Sequence, residues 1–194
     1  VRDTISPCLK DGKIDLSELA LDEGAIKNVR RLYIIGCGSA YHVGMAARYV
    51  FESLARIPVE VDVASEFRYR DPVLEQDSLA MVISQSGETA DTLAALREAK
   101  RAGCRVLSVV NVVGSTIATE SDDVLYTWAG PEISVASTKA YSTQLAVIYL
   151  LALYIGEQLG KFTQEQLSAY IAALEKLPEQ IDEMLKHKEN IQFF

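Results

Sequence analysis

The chain has 194 residues, of which 49% are apolar and 24% charged, values close to the averages of globular domains. Its 27 acidic and 19 basic residues give a formal net charge of -8, so the overall electric field repels nucleic acid and anionic membrane surfaces. We therefore expect neither as a partner. A phosphate ligand would have to be held locally, by backbone N–H groups, hydroxyls and helix N-termini.

Cysteine and histidine residues are too few and too scattered for a metal site or a disulfide framework. They are Cys8, Cys37, Cys104, His42 and His187. No basic and then apolar leader opens the chain, and the longest apolar run, residues 145–155, is too short to span a bilayer. We expect no metal, no cofactor and a cytoplasmic location. The start at Val1 and the polar residues 11–13 are typical of a linker, so we expect a segment to precede them.

Short apolar runs rich in β-branched residues alternate with longer stretches of helical periodicity, the pattern of βαβ units around a parallel sheet. The predicted strands are residues 31–37, 59–65, 78–84, 105–111 and, with a weaker pattern, 123–129. The predicted helices are residues 39–56, 88–102, 115–120, 137–159 and 163–188. Because parallel crossovers are right-handed, helices should cover both faces of the sheet. The sequence predicts an α/β fold with three αβα layers and a five-stranded parallel, flavodoxin-like sheet.

Ligands of such folds bind beyond the carboxyl ends of the strands, and residues 84–89 leave a predicted strand there and enter a helix. Their polar side chains include those of Ser84, Gln85, Ser86 and Thr89. A glycine at 87 permits a tight turn, and the helix start offers N–H groups without intrahelical partners. This combination predicts a phosphate-binding loop. The alternative is that Ser86 only caps the helix while acidic residues complement its dipole.

Residues 36–40, Gly-Cys-Gly-Ser-Ala, also end a strand and open a helix, which suggests a dinucleotide site with Asp62 as the ribose acid. The third glycine of that motif would fall at Tyr41, whereas the next glycine is Gly44. Close approach of helix and strand is therefore not expected. We favour Ser39 as a hydroxyl donor to a sugar or a phosphate.

Residues 132–139 form a loop that enters the most apolar predicted helix, and Ser137 or Thr138 can cap that helix. A functional interpretation places the backbone of Val135 and the hydroxyl of Ser137 on the same pocket. Lys139 can equally be a solvated charge. The small polar surface of helix 137–159 predicts self-association, most simply as a homodimer.

Three segments together resemble a known family. They read CGSAYHVGMAARYVFESLARIPVEVDVASEFRYR from residue 37, SQSGETADTLAALREAK from residue 84 and VASTKAYSTQLAV from residue 135. Over residues 30–160 the chain resembles the first sugar-isomerase (SIS) domain of the glucosamine-6-phosphate synthase family. Many members of that family have serine where this chain has Ala40, so one side-chain hydrogen bond would be lost.

The resemblance implies a pocket for fructose 6-phosphate and glucosamine 6-phosphate. It implies that the phosphate is held by Ser84, Gln85, Ser86 and Thr89, and that Val135 and Ser137 line the sugar. Ser39 stands where the family usually has threonine. The domains implied are a linker or N-terminal extension at 1–28, the SIS domain at 29–160 and, at 161–194, a helix leading to a second SIS domain.

In the family, catalytic groups lie in a glutaminase domain and in the second SIS domain, so we expect no catalytic residue in this chain. The ionisable residues near the predicted pocket, Glu88, Glu132 and Lys139, have no partner visible in the sequence that would tune a pKa. We expect the chain to bind a hexose 6-phosphate without turning it over. The alternative is a free-standing SIS module that senses a sugar phosphate for regulation.

Overall fold

A parallel sheet of five strands forms the centre of the protein. The computed structural model describes residues 1–134 and 137–189. Its strands are β1 (Leu9–Lys10), β2 (Lys13–Ile14), β3 (Arg31–Gly36), β4 (Val59–Val63), β5 (Ser78–Ser84), β6 (Arg105–Val110) and β7 (Asp123–Tyr126). β1 and β2 form a small antiparallel hairpin, whereas the other five pair in parallel in the order β4-β3-β5-β6-β7. This strand order is that of flavodoxin-like folds, as predicted.

Helices cover both faces of the sheet and complete the three layers. They are α1 (Arg2–Ile5), α2 (Glu23–Asn28), α3 (Ser39–Leu54), α4 (Ala64–Phe67), α5 (Ala90–Arg101), α6 (Thr116–Glu120), α7 (Lys139–Gln158) and α8 (Gln164–Lys186). Because successive strand residues point to opposite faces, Ile34 joins the core beneath α3 and α7, while Ile35 joins the core beneath α5. The predicted three-layer α/β class is confirmed.

The second predicted strand is shorter than its apolar run suggests. β4 ends at Val63, and Ala64–Phe67 turns into a short helix. Phe67 is completely buried in the core on that face, so burial of its ring accounts for the early end of the strand. The other predicted elements differ from the observed ones by a few terminal residues, where helices and strands commonly fray.

Residues 1–28, predicted as a linker or N-terminal extension, contribute side chains to the core. Ile5, Ile14, Leu21 and Ile26 are buried and belong to the main hydrophobic core. The hydroxyl of Thr4 donates a hydrogen bond of 2.5 Å to the carbonyl of Thr127, far along the chain. The segment contains the short elements α1, β1, β2 and α2, and its buried apolar side chains extend the core.

The close approach of α3 to the sheet corrects an expectation from the sequence. A Cβ atom added to Gly44 would lie 2.9 Å from Cγ1 of Val61 and 3.0 Å from Cγ2 of Ile34. The expectation that helix and strand do not approach closely was wrong. The glycine that this close contact needs is Gly44, inside α3, rather than a glycine at position 41.

Most apolar residues of α7 between Ala146 and Ile155 are buried within this chain, whereas Tyr149 is 41% exposed and Tyr154 is partly buried. The apolar character of α7 thus has an explanation inside the monomer, and the predicted homodimer stays a prediction. Within residues 1–134 and 137–189, no helix combines the length and the apolar character that crossing a membrane requires.

We predict that Leu21→Ala lowers the free energy of unfolding by about 2 to 5 kcal/mol, because Leu21 is fully buried and its loss leaves a cavity. Urea denaturation measures the change. The control is Leu185→Ala, whose side chain is 54% exposed and which should change stability by no more than about 0.5 kcal/mol. An equally small change for both variants would mean that the N-terminal segment does not contribute to the core.

Candidate functional site

A polar pocket of about 170 Å³ lies at the point where the strand order of the sheet reverses. From β3 the chain adds β4 on one side and then crosses to β5 on the other, so β3 and β5 are neighbours whose connections leave in opposite directions. Such a switch point leaves a crevice beyond the carboxyl ends of the strands. The pocket is lined by Cys37, Ser39, Ala40, Ile83, Ser84, Gln85, Ser86, Thr89, Thr92 and Gln144.

Hydroxyl groups organise the loop that follows β5. The buried Oγ of Ser84 accepts a hydrogen bond of 3.1 Å from the N–H of Gly87 and lies 3.1 Å from Oγ1 of Thr89. The Oγ of Ser86 accepts a bond of 3.2 Å from the N–H of Glu88. The loop therefore has a defined shape in which its hydroxyls converge on one side.

The neighbouring strand and helix hold the same loop from the other side. The carbonyl of Gln85 accepts from the N–H of Asn111 at 3.1 Å, and the carbonyl of Gly87 accepts from the N–H of Ile117 at 3.0 Å. Gly87 has a φ of 68°, and a Cβ atom there would lie 2.0 Å from Oγ of Ser115. Only glycine fits this close approach, so the turn depends on it.

Two helices begin at the pocket without a side-chain cap. α3 begins at Ser39 after Gly38, and α5 begins at Ala90 after Thr89; neither cap residue makes a side-chain hydrogen bond to its helix. The first N–H groups of a helix lack intrahelical acceptors, and each macrodipole places roughly half a positive charge there. Two such ends at one pocket create an anion-binding environment made without cationic side chains.

The structure brings together five of the seven residues predicted for the site, namely Ser39, Ser84, Gln85, Ser86 and Thr89. Ser137 is not among the lining residues; its hydroxyl lies 3.5 Å from a carboxylate oxygen of Glu132. Val135, the seventh, lies outside the described residues.

Sequence reasoning missed Thr92 and Gln144, which also line the pocket. Thr92, in the first turn of α5, follows the N-cap residue Thr89 by three residues and so lies on the same side, a spacing that could have identified it. Gln144 is a single amide just before the apolar run of α7. A polar residue embedded in a buried helix is itself a signal, because such residues are rarely buried without a partner.

Two carboxylates near the pocket have partners that the sequence did not reveal. The carboxylate of Glu88 accepts bonds of 2.7 and 2.8 Å from the N–H and the hydroxyl of Thr116, and these bonds lower its pKa. Burial acts to raise the pKa of Glu132, but bonds from N–H groups at the start of α7, including that of Ala140, outweigh it and lower the pKa. The expectation that these groups lack tuning partners was wrong, since both cap helices.

The described residues offer no cluster that would suggest a metal, since no three His, Cys, Asp or Glu side chains among them are grouped to bind one. Asp62, the acid that a dinucleotide ribose would need, lies 2.7 Å from the guanidinium of Arg70. Asp62 is paired in this way and is not a lining residue of the pocket, so the pocket does not favour the dinucleotide alternative.

The fold and the site define an α/β domain with a hydroxyl-lined pocket at the switch point of a parallel sheet. The chain belongs to the SIS domain family, whose model matches residues 25–154. It is 52% identical over 195 residues to glutamine–fructose-6-phosphate aminotransferase (isomerizing) of Clostridium acetobutylicum, and 50% identical over 195 residues to the same enzyme of Caldanaerobacter subterraneus subsp. tengcongensis. Each match covers 100% of this chain and 32% of the relative.

A solved structure gives the same result. The C-terminal domain of glucosamine-fructose-6-phosphate aminotransferase from Francisella tularensis has a TM-score of 0.94 and 38% identity, over 98% of this chain and 54% of that chain. The family resemblance drawn from the sequence is confirmed. The chain spans about a third of the length of the curated relatives it matches.

We predict that Glu88→Gln lowers the thermal midpoint at about pH 7, and that the difference from the parent shrinks towards about pH 3. The pKa of Glu88 is lowered in the folded state, so its contribution is fully present above the unfolded pKa and is lost as pH falls through the folded pKa. Scanning calorimetry at several pH values measures this. Glu179→Gln, an exposed site in α8, is the control. A difference that is independent of pH would contradict the capping role.

Proposed function

We propose that the pocket binds the phosphate of a hexose 6-phosphate. The observation that carries this proposal is the convergence of the uncapped starts of α3 and α5 with the hydroxyls of Ser84, Ser86 and Thr89. Phosphate oxygens accept hydrogen bonds from N–H and O–H donors, and this pocket offers both kinds. The amide of Gln85 adds a further donor group at the same rim.

The names of the relatives support fructose 6-phosphate as the sugar. The family resemblance implies glucosamine 6-phosphate as the product that the same pocket accommodates. Ser39 lies at the start of α3 on the β3 side of the pocket, which suits a contact to the sugar or to its phosphate. Val135 and Ser137 are proposed to line the sugar through the loop before α7. The buried methyl of Ala40 replaces the hydroxyl that many family members have there.

We further propose that the chain is the sugar-phosphate-binding part of a larger, cytoplasmic and homodimeric aminotransferase-isomerase. The limited coverage of the relatives supports additional domains, for which the family resemblance implies a glutaminase and a second SIS domain. Their isomerising aminotransferase activity, as named, consumes glutamine and fructose 6-phosphate. Residues 29–160 are proposed as the SIS domain, with 161–194 leading onward.

The chemistry of the pocket supports binding without catalysis by this chain alone. Among its described lining residues there is no carboxylate, imidazole or amine; hydroxyls, amides and the thiol of Cys37 are the polar groups. Isomerising a ketose needs a positioned base and an acid, and covalent activation needs an amine. The nearby carboxylates of Glu88 and Glu132 are engaged in capping helices.

We predict that Ser86→Ala weakens binding of fructose 6-phosphate by about 1 to 2 kcal/mol, or roughly 5- to 30-fold, since one charge-assisted hydrogen bond is lost. Titration calorimetry measures the affinity. Ser168→Ala, on an exposed position of α8, should bind like the parent. Equal affinities for the parent and Ser86→Ala would show that the phosphate is held elsewhere.

We predict that the purified chain forms no glucose 6-phosphate or glucosamine 6-phosphate from fructose 6-phosphate, alone or with ammonia or glutamine. Loss of positioning and proton transfer together removes many orders of magnitude in rate. Coupled enzymatic assays detect both products, with a full-length relative as the positive control. Turnover that disappears in Glu132→Gln would place a catalytic group in this chain.

A further inference from the structure

Gln144 is the one lining residue of the pocket whose buried polar atom has no partner among the described residues. The residue is 2% exposed, and its Oε1 makes no hydrogen bond to any residue that the structure describes. Buried polar atoms are nearly always paired, since an unpaired one forfeits the hydrogen bonds it had in water. An orphaned acceptor that faces a ligand pocket therefore calls for an explanation in terms of the ligand.

The surroundings of Gln144 on its own helix provide no partner. Of the neighbours one turn away on α7, Ala140, Val147 and Ile148 are buried and apolar, and Tyr141 is partly buried. The hydroxyl of Thr143 donates to the carbonyl of Ala140 at 3.0 Å and is thus engaged. Gln144 instead lines the pocket together with Ser84 and Thr89.

The type of atom indicates which part of a sugar phosphate it faces. A phosphate oxygen only accepts hydrogen bonds, so it is a poor partner for a carboxamide oxygen. A sugar hydroxyl both donates and accepts, so it pairs with the oxygen of the amide and equally with its NH₂ group. The donors proposed for the phosphate lie at the starts of α3 and α5, whereas Gln144 lies in α7.

We propose that Gln144 is a specificity-determining residue whose side-chain amide binds a hydroxyl of the sugar, while the loop at 84–89 holds the phosphate. This assignment rests on the proposed function of the pocket. It gives α7 a role in distinguishing a sugar phosphate from phosphate itself. A site built to bond a hydroxyl discriminates strongly against a ligand that lacks it, because its polar group is then left unpaired.

The test compares fructose 6-phosphate with inorganic phosphate on the full chain, using titration followed by NMR. The parent should prefer the sugar phosphate. Gln144→Met, which keeps the volume and removes the amide, should bind fructose 6-phosphate about 10-fold more weakly and inorganic phosphate unchanged. Gln158→Met, at the far end of the same helix, is the matched control and should leave both affinities unchanged.

A second measurement needs no variant and holds even if Gln144→Met folds poorly. In the ¹⁵N-labelled parent, the side-chain amide resonances of Gln144 should shift with fructose 6-phosphate and not with inorganic phosphate. Equal weakening of both ligands in Gln144→Met, or no weakening of either, would overturn the role of Gln144. A parent that binds neither ligand would instead overturn the proposed function, and the assignment of Gln144 with it.

Discussion

The reversal of strand order between β3 and β5 is the constraint on which the rest of the molecule depends. The chain continues to opposite edges of the sheet from these two strands, so the loops that follow them diverge and leave a crevice between them. α3 and α5 both start at this crevice, and their dipoles point at the same pocket. Positive potential thus comes from the topology rather than from side-chain charge.

This arrangement suits a chain with a net charge of -8. Many of its cationic side chains are paired with acids away from the pocket, as in Arg97 with Glu120, Lys100 with Asp122 and Arg105 with Asp123. Such pairs neutralise charge at the β6 and β7 edge of the sheet and contribute little field at the switch point. Backbone N–H groups and hydroxyls are preorganised by the fold and attract an anion through their dipoles. The described lining residues of the pocket include no cationic side chain.

The loop that follows β5 is supported by hydrogen bonds from outside the loop. Asn111 at the end of β6 supports Gln85 through its N–H, while its side-chain oxygen accepts from Thr127 and from the N–H of Ala129. One residue therefore links the loops that follow β5, β6 and β7. A ligand that meets such a preformed loop avoids the entropic cost of ordering it.

The sequence alone determined the class of the fold and most of the polar residues of the pocket. β-branched runs alternating with helical periods define a parallel sheet, because buried strands and amphipathic helices differ in the spacing of their apolar residues. The loop at 84–89 was identifiable because hydroxyls, glycine and a helix start occur within six consecutive residues. These are local properties, and local sequence encodes them directly.

Only the tertiary structure decided the features that depend on contacts between distant residues. The burial of Leu21, the contact of Gly44 with Val61, and the helix-capping role of Glu88 each require two elements that are far apart in sequence to meet. Gln144 is 60 positions beyond Ser84, and it enters the pocket because α7 packs on the sheet face shared with α3. The sequence contains these residues, but packing fixes which surfaces meet and hence which side chains share a site.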